Sequence, residues 1–171
     1  YYEAATSEYL DATFLRNHDQ NRILSELGGN EEKMRVAAGL LLTLPGTPYL
    51  YYGEEIGMLG AKPDQYIREP FVWDVDTADA VQTFWEVAKY STDQTVTPLS
   101  KQTNDPNSLY NFYNDLIRYR NASKALTFGD MISTDFRINE VVSFKRVYDK
   151  EQLLVLNNVS DVEVTIDLSG N

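Results

Sequence analysis

The chain has 171 residues, of which 43% are hydrophobic and 24% charged, and its formal net charge is −11. This composition is typical of a globular protein and argues against a disordered or fibrous chain. The acidic balance disfavours nucleic acids and anionic membranes as partners, because both attract basic proteins, whereas a neutral substrate is not repelled. The lack of cysteine excludes disulfides, thiolate metal sites and a cysteine nucleophile. No apolar segment approaches the roughly 20 residues of a membrane span.

The first part of the chain is predicted to alternate strands and helices. Residues 11–16 are short and partly apolar, which is typical of a buried strand, and they end at a polar cluster. Asn30 is a suitable N-cap for a helix whose apolar residues keep helical spacing until Pro45-Gly46. A second strand is predicted at residues 49–52. Strand, helix and strand joined by short turns predict a parallel βαβ unit.

The middle of the chain is predicted to contain irregular segments and two helices. Residues 57–75 hold several glycines and prolines, which predicts a long loop. A short helix is predicted at 81–90, and an irregular stretch at 91–103. A longer helix is predicted at 106–121, with Pro106 in its first position. One apolar stripe runs along that helix: Leu109, Phe112, Tyr113, Leu116 and Ile117.

Beyond about residue 127 the apolar residues alternate with a period of two. Residues 141–148 and 153–156 predict strands joined by Asp149-Lys150, and residues 162–168 alternate strictly between apolar and polar side chains. Such alternation predicts a half-buried antiparallel sheet. We therefore place a domain boundary near residue 126.

The only histidine, His18, is followed by Asp19 just beyond the first predicted strand. In parallel α/β proteins, groups at the carboxyl ends of strands face the ligand crevice or the barrel mouth. A buried aspartate there can accept hydrogen bonds from sugar hydroxyls, and the imidazole can donate one. Spacing alone favours a structural histidine and an aspartate that caps the next turn, since a single His-Asp pair is a weak signal.

The pair Glu54-Glu55 is a second candidate for acid/base chemistry. If both lie on a strand, they point to opposite faces and cannot act as the facing carboxylates of a glycosidase. We expect one to be solvated and the other to make a buried structural hydrogen bond. Arg68-Glu69 is interpreted as a loop ion pair. Several aromatic residues fit either sugar stacking or the core: Tyr49, Tyr51, Tyr52, Phe71 and Trp73.

Three segments carry a resemblance to a known family. Residues 14–22 resemble the last signature block of the α-amylase family, glycoside hydrolase family 13, at the end of barrel strand seven. Residues 45–58 are similar to the strand-eight segment of that family, and residues 67–74 resemble the Arg-x-Pro-x-x-Trp loop of its oligosaccharide-active members. Four residues of the second segment match in the expected places: Gly46, Pro48, Gly53 and Glu55.

The resemblance implies an α/β fold: residues 1–126 as the last βα units of a TIM (β/α)8 barrel, and residues 127–171 as the start of an antiparallel β-sandwich domain. It also implies a retaining α-glucan hydrolase that cleaves α-1,4 bonds within starch or maltooligosaccharides. α-1,6-Glucosidases, glucanotransferases and isomerising enzymes share the same blocks. The nucleophile and the acid/base of the family belong to strands four and five, which have no counterpart here. The chain is therefore expected to be a C-terminal fragment, inactive alone.

The same resemblance assigns roles to four residues. Asp19 is the carboxylate that stabilises the transition state, and His18 donates to hydroxyls of the same sugar. Arg22 is placed at the rim of the barrel mouth, with structural and substrate-binding roles both open, and Arg68 binds sugar. No metal site and no cofactor are expected in this chain. If the full-length enzyme binds calcium, the site is expected in the missing part of the protein.

The implied partners are an α-glucan and the missing N-terminal part of the barrel, and the implied location is extracellular or periplasmic. Two other hypotheses remain at this point. In the first, the chain is a non-catalytic module that binds glucans or other proteins. In the second, it forms a dimer or a domain-swapped assembly in which exposed barrel edges pair between copies.

Overall fold

The computed structural model describes residues 10–75 and 81–168, so the outer ends of the two predicted domains lie outside the described residues. Its elements in chain order are β1 (Ala12–Phe14), α1 (Ile23–Glu26), α2 (Glu31–Thr43), β2 (Thr47–Tyr49), a 3-10 turn (Glu54–Ile56), α3 (Asp64–Ile67), α4 (Leu99–Gln102), α5 (Leu109–Ala122), α6 (Lys124–Phe128), β3 (Asp130–Ser133), β4 (Val141–Tyr148) and β5 (Glu151–Asn158).

The predicted βαβ unit is confirmed. Strands β1 and β2 pair in parallel, with Ala12 opposite Thr47, and α2 connects them. The side-chain oxygen of Asn30 accepts a hydrogen bond of 3.0 Å from the Lys33 amide, which confirms the predicted N-cap. The second strand ends at Tyr49 and not at residue 52, since the chain turns there into the 3-10 turn.

Helix α5 packs on α2 and forms the larger core. The stripe predicted on α5 faces this core, with Leu109 and Tyr113 fully buried. The helix begins at Leu109 and not at Pro106, because Ser108 caps it by accepting a hydrogen bond from the Asn111 amide. The buried members of the core are Leu24, Met34, Ala38, Leu42, Leu109 and Tyr113.

The C-terminal part is a three-stranded antiparallel sheet in the order β3-β4-β5. The two predicted strands at 141–148 and 153–156 are confirmed, and Asp149 turns the hairpin with φ +52°. The strand predicted at 162–168 is wrong. The chain makes a local turn just before it, in which the side-chain Nδ2 of Asn158 donates to the Val162 carbonyl, and no sheet ladder continues through the described residues of the tail.

The helix predicted at 81–90 is also wrong. The backbone amides of Lys89, Tyr90 and Ser91 donate to the carboxylate of Glu69, which is 0% exposed. Amides bonded to one side chain are not available for the i to i−4 bonds of a helix. Strand β3 and the short helix α6 were not predicted individually from the sequence. Among the described residues, no helix is long and apolar enough to cross a membrane.

Candidate active-site cluster

The site is built on the turn that follows β1. His18 and Asp19 lie four and five residues beyond the last strand residue, and the side chain of Asn17 accepts a 2.9 Å hydrogen bond from the Asp19 amide. This bond fixes the turn that presents both side chains. Their exposed fractions are 65% and 64%. The expectation of a buried aspartate is therefore not met in this chain, where Asp19 is open to a ligand.

Arg68 joins this turn from the segment after α3. Its Nη2 contacts Asp19 Oδ1 at 3.1 Å and Asp64 Oδ2 at 2.9 Å. Its Nε donates to the His18 carbonyl at 2.9 Å, and His18 Nε2 lies 3.4 Å from Asp19 Oδ2. The structure thus brings three of the four predicted site residues together: His18, Asp19 and Arg68.

Opposite charges alternate along this cluster. Lys62 Nζ lies 2.6 Å from Asp64 Oδ1, so the order is Lys62, Asp64, Arg68, Asp19. The hydrogen bond from Lys62, together with the charge of Arg68, lowers the pKa of the Asp64 carboxyl. Sequence reasoning missed Lys62 and Asp64. The only available signal was the spacing of Asp64 and Arg68, which is four residues and suits an ion pair on one helix face.

Arg22 is buried and does not lie at the rim, so its predicted position is wrong. It is 1% exposed, and its Nη1 donates to the Tyr52 carbonyl at 2.6 Å. Its guanidinium carbon lies 4.7 Å from the ring centroid of Tyr51 and 4.6 Å from that of Tyr52. Aromatic faces attract a guanidinium, which explains why the side chain turns inward. Burial lowers its pKa.

Glu54 and Glu55 lie in the 3-10 turn and not on a strand, and neither is solvated as one was expected to be. Glu54 is 2% exposed, and within residues 10–75 and 81–168 neither of its carboxylate oxygens makes a hydrogen bond of ordinary geometry. Burial raises its pKa to about 8, although the nearby charge of Arg22 opposes the rise. Glu55 is half-buried and accepts a 2.8 Å hydrogen bond from the Gly53 amide. The structural hydrogen bond therefore belongs to Glu55, the less buried of the two.

Arg68 and Glu69 are not an ion pair. Arg68 points to the Asp19 turn, whereas Glu69 points inward and binds the amides of residues 89–91. Beyond them, Phe71 and Trp73 pack together with ring centroids 4.5 Å apart. Within residues 10–75 and 81–168, no group of three metal-ligating side chains is close enough to hold a metal ion.

Comparison with known proteins gives a consistent match. The family model of the α-amylase catalytic domain matches residues 1–129. α-Amylase 3 of Dictyoglomus thermophilum is 39% identical over 96% of this chain and 33% of its own length. α-Amylase SusG of Bacteroides thetaiotaomicron is 34% identical over 95% of this chain and 24% of its own length. The 4-α-glucanotransferase of Thermotoga maritima is 30% identical over 94% of this chain and 37% of its own length.

Solved structures show the same likeness. An α-amylase from H. orenii has a TM-score of 0.82 at 44% identity, covering 88% of this chain and 30% of its own. Amy13B of Eubacterium rectale has a TM-score of 0.86 at 34% identity, covering 98% of this chain and 33% of its own. The chain thus spans between about a quarter and somewhat more than a third of the length of these proteins. It belongs to the α-amylase family, glycoside hydrolase family 13, and its fold is the C-terminal part of a (β/α)8 barrel followed by the first strands of an antiparallel β domain.

Proposed function

We propose that this chain is the part of a retaining α-glucan hydrolase that supplies Asp19, the carboxylate that stabilises the transition state. The observation that carries the proposal is the position of Asp19. It lies beyond the carboxyl end of a parallel strand, open to solvent, with one oxygen on Arg68 and the other near His18. Ligands of parallel α/β folds bind at this end of the strands.

The chemistry of the cluster suits a sugar ring. A carboxylate has about four acceptor sites, so Asp19 can hold sugar hydroxyls while it keeps its contact with Arg68. Its negative charge favours an oxocarbenium-like ring over the neutral ground state, which lowers the barrier to bond cleavage. We propose that His18 donates to hydroxyls of the same ring. Arg68 orients Asp19 and completes the binding surface.

Asp64 is the carboxylate that the described residues place next to Asp19, and it does not suit the role of a catalytic partner. Asp64 and Asp19 contact the same Arg68 nitrogen, at 2.9 and 3.1 Å. Both carboxylates are held by the same arginine nitrogen, whereas the two carboxylates of a glycosidase flank the scissile bond. A general acid also needs a raised pKa, whereas the pKa of Asp64 is lowered. We therefore propose that the nucleophile and the acid/base come from outside the chain, and that the chain alone is inactive.

The two parts of the chain are proposed to have different roles. Residues 1–126 would belong to the barrel that forms the active site, and residues 127–171 to the C-terminal β domain. The change from parallel to antiparallel pairing on either side of α6 supports this division. We propose no cofactor for this chain. A chelator should then leave its melting temperature unchanged.

The proposal is tested with a chimera. The chain replaces the matching segment of the Dictyoglomus thermophilum α-amylase, to which it is 39% identical, and starch hydrolysis is measured. We expect Asp19→Asn to lower kcat on the order of 10²–10³-fold, because the lost charge acts mainly on the transition state. Asp149→Asn is the matched control, since Asp149 is exposed in a hairpin turn whose φ of +52° suits asparagine.

Two outcomes would reject the proposal. If the Asp19→Asn chimera keeps kcat within a few-fold of the parent chimera, Asp19 has no part in the transition state. If the isolated chain hydrolyses starch, the division of catalytic residues is wrong. Saturable binding of maltooligosaccharide by an inactive chain, unaffected by Asp19→Asn, would instead favour a glucan-binding module.

The linkage is the finer part of the proposal. We propose internal cleavage of α-1,4 bonds, which the relatives named α-amylase support. Relatives named 4-α-glucanotransferase (Thermotoga maritima, 30% identical) and oligo-1,6-glucosidase (Halalkalibacterium halodurans, 30% identical) make transfer and α-1,6 cleavage the alternatives. Product analysis of the chimera on maltoheptaose and isomaltose separates these activities.

A further inference from the structure

Arg22 belongs to a closed series of contacts that connects the Asp19 turn with Arg68. Its backbone amide donates to the Gly60 carbonyl at 2.9 Å, which ties the end of the Asp19 turn to the segment that leads to α3. Its guanidinium donates to the Tyr52 carbonyl and lies against the rings of Tyr51 and Tyr52. One buried side chain thus holds the turn after β1 against the segment after β2.

The two tyrosines carry this contact to Arg68. The Tyr51 hydroxyl donates to the Ile67 carbonyl at 3.2 Å, and the Tyr52 hydroxyl donates to the Glu69 carbonyl at 2.9 Å. Both residues next to Arg68 are therefore fixed by rings that Arg22 touches. Arg68 in turn contacts Asp19, which precedes Arg22 by three residues, so the series of contacts returns to the turn where it began.

The cost of burying Arg22 indicates a role beyond stability. Its Nε and Nη2 make no hydrogen bonds among the described residues, and the carboxyl group of the neighbouring Glu54, which is 2% exposed, makes none of ordinary geometry with them. Buried charged groups without full pairing are costly, and apolar residues of similar volume are often neutral or stabilising in their place. A local arrangement that costs stability is expected where it shapes a site.

We infer that Arg22 is a positioning residue for Asp19 and Arg68, an inference that rests on the proposed sugar site. Arg22 touches no sugar. It sets the distance between the turn after β1 and the segment after α3, and so holds the Asp19 carboxylate against Arg68 in the orientation that a sugar ring meets.

The experiment uses the 171-residue chain and two variants, Arg22→Met and Arg22→Lys. His18 is the only histidine, so its ring signals in NMR spectra report the Asp19 turn directly. The Nε–H signal of Arg68, assigned through Arg68→Lys, reports the bond to the His18 carbonyl. Affinity for maltoheptaose is followed by tryptophan fluorescence, and the melting temperature is measured on the same samples.

We expect Arg22→Met to keep its melting temperature close to that of the parent. The His18 and Arg68 signals should shift, and maltoheptaose binding should weaken by about tenfold. Arg22→Lys should recover part of the affinity, because lysine can still donate to the Tyr52 carbonyl. Arg120→Met is the matched control, since Arg120 is also a buried arginine but contacts the distant end of α2. It should lower the melting temperature and leave both signals unchanged.

The inference is overturned if folded Arg22→Met keeps both signals and the affinity of the parent, or if Arg120→Met moves the same signals as far. Should Arg22→Met fail to fold, Arg22→Lys decides by the same two criteria. The proposed function fails separately: if Asp19→Asn does not weaken maltoheptaose binding while Arg22→Met still shifts the Arg68 signal, positioning stands and the sugar site does not.

Discussion

Buried arginines occupy two regions of this chain, and their surroundings differ. At the carboxyl end of α2, Arg120 Nη1 donates to the Leu42 carbonyl at 2.7 Å and the Leu44 carbonyl at 3.0 Å, and its Nη2 donates to the Gly46 carbonyl. Arg146 of β4 reaches the same helix end through the Thr43 carbonyl. Below the Asp19 turn, Arg22 makes one side-chain hydrogen bond, and two of its nitrogens have no hydrogen-bond partner among the described residues.

The difference follows from what each region supplies. The last carbonyls of a helix have no partners within the helix and carry the negative end of its dipole, so cationic donors stabilise them. Arg120 and Arg146 therefore stabilise the packing of α5 and β4 on α2. Arg22 meets aromatic rings and the buried Glu54, which gives a less complete pairing. We conclude that the helix end is built for stability and the Asp19 region for the shape of a site.

Among the variants that test this comparison, Arg120→Met is expected to lower stability most. It leaves three carbonyls at the end of α2 without their donor, so we expect the free energy of unfolding to fall by about 3 kcal/mol. Arg22→Met should change it by less than about 1 kcal/mol in either direction. Urea denaturation of both variants measures the two values. Equal losses would show that the two regions do not differ.

The pH dependence of stability should reveal the protonation of the buried Glu54 carboxyl group next to Arg22. Burial raises the pKa of Glu54 from its ordinary value of 4.5 to about 8, so the folded state holds a proton that the unfolded state releases. The Glu54 contribution to the free energy of unfolding is thus most favourable below pH 4.5. It declines as the pH rises to about 8, by a few kcal/mol in total.

Glu54→Gln removes this titration, and the difference between the two curves isolates it from all other groups. We expect the parent to lose stability relative to Glu54→Gln between pH 5 and pH 8, measured by urea denaturation at each pH. Parallel curves would mean that the Glu54 carboxylate is ionised in the folded state throughout, paired with the charge of Arg22.

Asn30→Ala measures the stability contribution of the cap at the amino end of α2, for comparison with the arginine at its carboxyl end. Asn30 satisfies the Lys33 amide as a neutral cap, so its loss should cost about 1 kcal/mol. The ratio of the Arg120 and Asn30 effects then measures how much the charged donor adds at the carboxyl end of α2. If Asn30→Ala lowers the free energy of unfolding as much as Arg120→Met does, the arginine stabilises its helix end no more than a neutral cap, which contradicts our account.

Asp64→Asn should have the smallest effect on stability, because the side chains of Asp64, Lys62 and Arg68 are half-exposed or nearly so and water screens their charges. We expect an unchanged melting temperature. The Nε–H signal of Arg68 should nevertheless move, since Asp64 is one of the two carboxylates that hold this guanidinium. A signal that stays in place would show that Asp19 and the His18 carbonyl alone fix Arg68.

Local patterns in the sequence predicted most of the regular elements. The N-cap at Asn30, the apolar stripe of α5 and the alternation of β4 each follow from a short-range preference. The wrong predictions concern segments whose conformation depends on distant groups. A short helix was predicted at residues 81–90, but the Glu69 carboxylate, twenty residues earlier, binds their last amides. The tail at 162–168 alternates without a neighbouring strand to pair with in the described residues.

The site was predictable to the same extent. Family blocks singled out His18, Asp19 and Arg68, which the structure brings into contact. They did not reveal Asp64, because its role depends on an ion pair that only the fold creates. The inward position of Arg22 depends on the rings of two tyrosines thirty residues later. Burial of this kind is a property of tertiary packing, which spacing in the sequence does not encode.

The most direct test of the Asp19 site is an NMR titration of the chain with maltoheptaose, observed at the ring of His18, the only histidine. Our account predicts a saturable shift of the His18 signals that is lost in Asp19→Asn and kept in Asp149→Asn. A His18 signal that does not move while tryptophan fluorescence reports binding would place the sugar elsewhere. An identical titration in Asp19→Asn would contradict the role of this carboxylate.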